Sequence, residues 1–317
     1  MILVTPTAVF QLVDSRYTET ARLHAADTGV QVTEIITGFW DELNALLAKI
    51  DCKILLFEDR TIAYRQYTQL QGIFSGELRP VGNGVMDLRN VKEPWEIDLM
   101  KTANRIAEKA FLELLNDVKP GKTEKELAAR FDYLMALGGS DGVSFDTILL
   151  TGAHTSMPHG VPENREVQKG DFVLFDFGAT YRGYHSDMTR TVAVGSATAE
   201  MQAAYDLVLR AQLAGIRGLQ AGVPCKEVYQ AAYDVLAAED KAQYFRHSLG
   251  HGVGLEIHEG YNASPRSEDV YQTGNVTSVE PGIYLPDKFG IRIEDVLYLS
   301  PHGRENLSNV TKKLIVL

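Results

Sequence analysis

Residues 175–192 read FDFGATYRGYHSDMTRTV, and the two aspartates in this stretch decide how the fold is read. Asp176 follows the apolar run Phe172-Val173-Leu174-Phe175, and Asp187 opens onto a second run at 188–194. Apolar runs of strand length bounded by glycine suggest paired strands, and Gly178 and Gly183 permit a tight return between them. A hairpin would bring both carboxylates to one place. A lone aspartate is ordinarily a surface or turn residue. Asp176, however, ends an interior strand, where a carboxylate is costly unless a cation or several hydrogen bonds accompany it.

Three further segments carry residues of the same kind. Residues 247–260 read HSLGHGVGLEIHEG, with His247, His251 and His258 among glycines that allow close backbone approach. Three histidines in twelve residues, in a chain holding eight, exceed what packing alone asks for, and imidazole is the commonest nitrogen ligand of transition metals. In VEPGIY, at 279–284, Glu280 ends an apolar strand just before Pro281-Gly282. In IRIEDV, at 291–296, Glu294 is read in a strand two residues from Arg292, so that both side chains share a face. Glu294 reads equally well as half of an ion pair with Arg292 and as a metal ligand.

Convergence changes the argument. Four carboxylates in one dry site repel strongly. Two divalent cations would offset them charge for charge, and carboxylates with one imidazole suit manganese, cobalt, iron or zinc. Two such ions about 3.5–4 Å apart can share a water and lower its pKa, which is the chemistry of metal-assisted hydrolysis.

The rest of the chain supplies the frame. Residues 1–90 read as a small α/β domain, with strands at 2–4, 9–13 and 53–57 and helices at 17–26, 39–50 and 61–70. Pro80, Gly82, Gly84 and Pro94 mark 78–94 as a linker or meandering strand region. In 91–317, helices are expected at 95–115 and 123–137, the second opened by a capping box, Thr123-x-x-Glu126. Strands follow at 147–150, 172–177 and 188–194, then helices at 199–220 and 226–238, then strands at 275–280 and 291–299. Helix, helix, strands thus occurs twice, which suggests two structurally related halves of an α+β fold.

Composition narrows the function classes. Of 317 residues, 45% are hydrophobic and 23% charged, as in an ordinary soluble protein able to bury a full core. A net charge of −11 argues against nucleic acid as a partner, which calls for a basic face. No apolar stretch is long enough for a membrane span. Cys52 and Cys225 are far apart, which excludes a disulfide framework and a cysteine-rich zinc site and fits a reducing compartment. MILVTPTAVFQL lacks the regions of a signal peptide. A cytoplasmic protein is expected.

The motifs FDFGA…SDMTRTV, HxxxHGVGLEIHE, VEPGIY and RIEDV together resemble the M24 metallopeptidases: Xaa-Pro aminopeptidases, prolidases and methionine aminopeptidases with the pita-bread fold. The likeness covers about 94–317, with a weaker match at VDSRYTETA. It implies that Asp176, Asp187, His251, Glu280 and Glu294 hold two divalent metal ions per chain, manganese first, with cobalt, zinc or iron as alternatives. Asp187 and Glu294 would bridge the ions, Asp176 would bind one, and His251 with Glu280 the other. Glu280 would also be the general base. His159 would contact substrate near the scissile amide, His258 would steady the carbonyl oxygen, and His247 would line the proline pocket. Arg292 would partner the ligand carboxylates, with Tyr284 a weaker candidate in the same region. His185 is expected near the site without being a ligand.

VDSRYTETARLHA and KEPWEIDLMKTA resemble the creatinase-like N-terminal domain and its junction, which favours the proline-specific branch. That domain, 1–90, is expected to be shortened, an earlier helix and strand being missing, and 91–317 is the expected catalytic domain. The expected activity is hydrolysis of the bond before a proline in second position by a homodimer. An Xaa-Pro dipeptidase, a methionine aminopeptidase-like exopeptidase and a non-catalytic pita-bread binding protein are the alternatives.

Overall fold

In the computed structural model, which describes residues 1–50 and 52–317, the chain divides into two units, Met1–Val85 and Met86–Leu317. The first unit runs β1 (Ile2–Val4), β2 (Val9–Asp14), α1 (Thr18–Ala25), β3 (Val30–Ile35), α2 (Phe39–Leu47), β4 (Ile54–Phe57), α3 (Tyr64–Ile73) and β5 (Glu77–Pro80). Strand β1 is antiparallel to β2, whereas β2 with β3 and β4 with β5 are parallel pairs, each joined through a helix. Leu12, Leu43, Leu46, Leu47 and Leu70 form its core.

The stretch 78–94, expected to be a linker or meandering strand region, holds the end of a strand and then a helix that the expectation lacked. Residues of β5 pair with β4, and Gly84–Asn90 forms a helix, α4. Proline is tolerated at Pro80 because β5 pairs on one side only, and Gly82, at φ 60°, makes the turn into α4. Helix α4 buries none of its residues, so it has no apolar stripe for the sequence to display.

The second unit continues with α5 (Pro94–Leu114), α6 (Glu124–Leu137), β6 (Gly142–Val143), β7 (Ile148–Thr151), β8 (Phe172–Phe177), β9 (Ala179–Tyr181), β10 (Tyr184–His185) and β11 (Met188–Ala193). It closes with α7 (Ala199–Gly218), α8 (Cys225–Ala237), β12 (Gly250–Gly252), β13 (Glu259–Ala263), β14 (Val276–Val279), β15 (Gly282–Leu285), β16 (Phe289–Arg292), β17 (Asp295–Ser300) and β18 (Gly303–Asn306). Two helix pairs each lead into an antiparallel sheet, ordered β11-β8-β7 in one half and β13-β12-β14-β17-β18 in the other. The doubled order anticipated from the sequence is present. Among the described residues no helix is long and apolar enough to cross a membrane.

Packing explains where Asp176 points. Phe175 and Phe177 meet Phe111 of α5 and Phe131 of α6, with ring centroids 5.4 Å apart for Phe111–Phe177 and 4.5 Å for Phe131–Phe177. Successive strand side chains alternate between faces. With both phenylalanines committed to the helices, Asp176 is turned to the opposite face, although every residue of β8 is buried. The same logic fixes the second half, where β14 is buried throughout and delivers Glu280 at its end.

Candidate metal centre

Strands β8 and β11 pair antiparallel with Asp176 opposite Thr189, so Asp187 lies just beyond the ladder's end. The return between them is longer than a simple hairpin: β9 and β10 form a small one of their own, turning at Gly183, φ 81°. Gly178 has no room for a side chain, since a Cβ would stand 1.9 Å from the Ser186 carbonyl oxygen. That close approach draws Asp187 back beside the end of β8. His251 lies in β12, Glu280 directly after β14, and Glu294 between β16 and β17.

Glu294 is not in a continuous strand, which corrects the reading of 291–299. Strand β16 pairs with β15 and β17 with β14, so the chain changes sheets at Ile293-Glu294. Its N–H donates to the Thr189 carbonyl at 3.1 Å. Arg292 and Glu294 therefore do not share a strand face. Arg292 pairs with Asp176 instead, donating from Nη2 to Oδ2. Glu294 Oε2 accepts from the Thr189 hydroxyl at 2.7 Å.

These placements bring the acids and one imidazole together in a buried pocket. His251 Nε2 lies 3.5 Å from Asp187 Oδ2 and 3.4 Å from Glu280 Oε1. Ligand atoms of Asp187, His251 and Glu294 all fall within 4.8 Å of one another. Asp176 stands close enough that its charge raises the pKa values of Asp187, Glu280 and Glu294, behind burial as the main cause. Burial pushes Asp187 up to about 6 and Glu280 to about 7, and raises Glu294 strongly. For His251 burial opposes the charge, but the Asp187 hydrogen bond and the Glu280 charge prevail and hold it up at about 9.

The donor set fits cations on two observations. Asp187 Oδ1 and Glu294 Oε1 are buried without a hydrogen-bond partner, which a native interior does not ordinarily allow. His251 Nδ1 lies 3.1 Å from the Gly252 carbonyl oxygen, so that nitrogen carries the hydrogen and Nε2 turns its lone pair toward the carboxylates. Only a proton or a cation makes that orientation favourable.

The remaining candidates surround this cluster. His258 reaches solvent with its ring 4.2 Å from that of His251, and partial burial together with the His251 charge lowers its pKa to about 4. It is neutral at pH 7 and keeps an N–H to donate. His247 Nδ1 donates to the Ser248 carbonyl at 2.7 Å, and its Nε2 accepts from the Tyr284 hydroxyl at 2.9 Å. Burial and then the Arg292 charge lower His247 to about 3. Tyr284 in turn accepts from Arg292 Nη1 at 2.6 Å. Arg292 Nη1 also donates to Pro158 O at 3.3 Å, which ties down the loop that carries the exposed His159. His185 remains outside the cluster; its backbone N–H donates to Gly254 O at 2.9 Å.

Thr189 and Ser278 escaped the sequence reading. Ser278 Oγ donates to Glu280 Oε1 at 3.2 Å and accepts from the His251 N–H at 3.1 Å. Burial is what gives them away: hydroxyls in strands buried throughout need partners.

The pattern of metallopeptidase family M24 matches residues 98–301. The chain belongs to this family. An uncharacterized peptidase of Bacillus subtilis is 36% identical over 307 residues, covering 96% of this chain and 86% of the relative. An Xaa-Pro dipeptidase of Pyrococcus horikoshii is 38% identical over 239 residues, 75% of this chain and 68% of that one. Among solved structures, an Xaa-Pro dipeptidase from Bacillus anthracis superposes with a TM-score of 0.95 at 35% identity, over 100% of this chain and 88% of that one. An X-Pro aminopeptidase from Thermotoga maritima gives 0.94 at 35% identity, over 100% and 90%. The α+β pita-bread architecture expected from the motifs is that of these M24 structures. Membership makes the chain a metallo-exopeptidase and implies divalent metal ions at the buried Asp/His/Glu cluster.

The raised pKa values give this M24 cluster a pH signature. A group whose folded pKa exceeds its unfolded value adds stability below the unfolded pKa and loses it as pH rises through the folded one. For Asp187 and Glu280 the window ends at about 6 and about 7, and for His251 at about 9. The cluster's contribution to the metal-free chain thus declines with rising pH while cation affinity grows. The rise in melting temperature on adding Mn²⁺ is expected to increase steadily between about pH 5 and about pH 8. A rise that is flat or shrinks over this range, in paired thermal melts, contradicts the cluster's role.

Proposed function

We propose that the chain is a dinuclear metal-dependent aminopeptidase that hydrolyses the N-terminal Xaa-Pro bond of peptides. The convergence of four carboxylates and His251, with orphaned oxygens on Asp187 and Glu294, carries the metal part of this reading. Relatives named for Xaa-Pro peptidase activity support the proline specificity. In this reading Asp176, Asp187, His251, Glu280 and Glu294 would hold the two ions. Manganese is the favoured metal, and cobalt, zinc and iron suit the same donors. The smaller domain, 1–90, is read as creatinase-like and 91–317 as catalytic, in a cytoplasmic homodimer.

Bound divalent ions polarise a carbonyl and lower the pKa of water. The protein's own groups do the rest. Glu280 takes the proton of the attacking water on its carboxylate and passes it to the leaving proline nitrogen. Neutral His258 donates its N–H to the carbonyl oxygen as negative charge develops there. His159 holds the substrate near the scissile amide. His247 has both ring nitrogens engaged, by Ser248 and Tyr284, so it offers the proline ring an apolar flank backed by Phe245, 5.0 Å away. Arg292 keeps Asp176 aimed at the site from one side and Tyr284 against His247 from the other.

An Xaa-Pro dipeptidase is the second reading, favoured by the relatives that carry that name. A metal-reconstituted assay on Ala-Pro, Ala-Pro-Ala, Ala-Pro-Ala-Ala and Met-Ala-Ala separates the two. Cleavage of the longer proline peptides at rates within about tenfold of the best substrate is the expected result. Cleavage of Ala-Pro alone selects the dipeptidase, preference for Met-Ala-Ala selects a methionine aminopeptidase-like enzyme, and turnover of none with metal bound selects a binding protein.

A further inference from the structure

His258 is carried by a loop whose two ends meet on one buried carboxylate. Strand β12 pairs with β13 at Gly250–Ala263 and His251–Asn262, then the register shifts and Gly252 faces Glu259. Residues 253–258 leave the ladder at Gly252 and rejoin it at Glu259, and His258 is the last of them. Glu259 has its side chain 1% exposed, and its Oε2 accepts from the Glu256 N–H at 3.2 Å. Gly254 lies directly against it: a Cβ there would stand 2.2 Å from Glu259 Oε1.

Two cations hold that carboxylate from the region of α4. Lys92 Nζ, on a side chain 1% exposed, donates to Oε1 at 2.5 Å, and Arg89 Nη2 donates to Oε2 at 2.5 Å. Arg89 also reaches Glu256 Oε1 at 3.3 Å, on the loop itself. Burying such a cluster is a poor route to stability, because apolar side chains of similar volume commonly do as well. What it supplies is a fixed position for the residues bonded to it.

We infer that the Lys92–Glu259–Arg89 ion cluster is a positioning device for catalysis, locking the 253–258 loop so that His258 stands beside His251 over the reacting carbonyl. The inference rests on the proposed role of His258. Lys92 and Arg89 touch neither substrate nor metal; they act through Glu259 and the loop it anchors. Release of the anchor leaves the five metal-site donors held in or at the ends of their strands while the His258 imidazole loses its fixed distance from them.

A double-mutant cycle tests this on the metal-loaded enzyme with an Ala-Pro peptide. Lys92→Met is expected to lower kcat by about 10- to 100-fold, as displacement of a working group from its reactive geometry does. His258→Ala lowers kcat by about 100-fold or more. In the His258→Ala background, Lys92→Met should change kcat by less than about twofold, since the group it positions is gone. Its effect on melting temperature should be the same in both backgrounds, and metal content should be unchanged. Glu259→Gln, which keeps the shape of the anchor, carries the same cycle if Lys92→Met does not fold. Equal kcat losses in both backgrounds, or none in the wild-type background, overturn the inference while leaving His258 in place. An unimpaired His258→Ala enzyme overturns the role of His258 and the inference together.

Discussion

Glu280→Gln lowers kcat by about 10³-fold, within the range for loss of a positioned general base, while KM changes by no more than about threefold. The substitution preserves volume and leaves an oxygen for the Ser278 hydroxyl, now 3.2 Å from Oε1. It removes the negative charge beside His251 and the proton acceptor proposed for the attacking water. Burial holds Glu280 up at about 7 in the absence of a cation. Because Glu280 is also a proposed ligand, the metal content of the variant must be measured beside its rate. A fully metallated variant with kcat within about tenfold of wild type would remove Glu280 from the role of base.

The second large effect concerns stability. Arg190 is 1% exposed and uses every arm of its guanidinium. Nη1 donates to Thr189 O at 2.9 Å and Glu294 O at 2.5 Å, Nη2 to Asp295 Oδ1 and Val310 O at 2.8 Å each, and Nε to Thr311 O at 3.0 Å. One side chain thus joins β11, the crossing between β16 and β17, and the C-terminal segment. Arg190→Met takes a donor from the carbonyls of Glu294, Val310 and Thr311, while Thr189 O keeps the Glu294 N–H, and takes from Asp295 one of its two cations, the other being Lys312 Nζ at 2.6 Å. Loss of one member of a buried pair costs about 3–5 kcal/mol. Urea denaturation followed by circular dichroism should register that loss, and metal affinity should fall as Glu294 loses one of its two backbone anchors. A loss below about 1 kcal/mol would show that the network is redundant.

What a sequence displays of a site follows from what each residue depends on. Asp176, Asp187 and Glu280 were visible because each interrupts or ends an apolar strand, and the cost of burying a charge announces itself without any knowledge of partners. The helix pairs were visible through periodicity and, at Thr123, through a capping box that forms as read, with Thr123 Oγ1 accepting from the Glu126 N–H. Spacing alone offers Arg292 a pair with Glu294 as one of two equal readings, whereas the side chain bonds Asp176, 116 residues away, a ligand carboxylate of the kind the resemblance implies. The change of sheet at Ile293-Glu294 was hidden for a related reason: IRIEDVLYL is apolar enough to read as one strand, and only the pairing of β15 and β14 with different halves of it breaks it. Helix α4 and the Lys92–Glu259 pair were likewise invisible, one for want of an apolar face, the other because its charges are 167 residues apart.

The central claim, that the donors of Asp176, Asp187, His251, Glu280 and Glu294 cage a pair of divalent ions, is tested most directly by calorimetric titration of the metal-free chain with Mn²⁺. Uptake of two ions per chain is expected for the wild type, with loss of at least the tighter of them in the Asp187→Asn, Glu294→Gln double variant. A double variant that titrates as the wild type does, or a wild-type chain that takes up no ion, would contradict it.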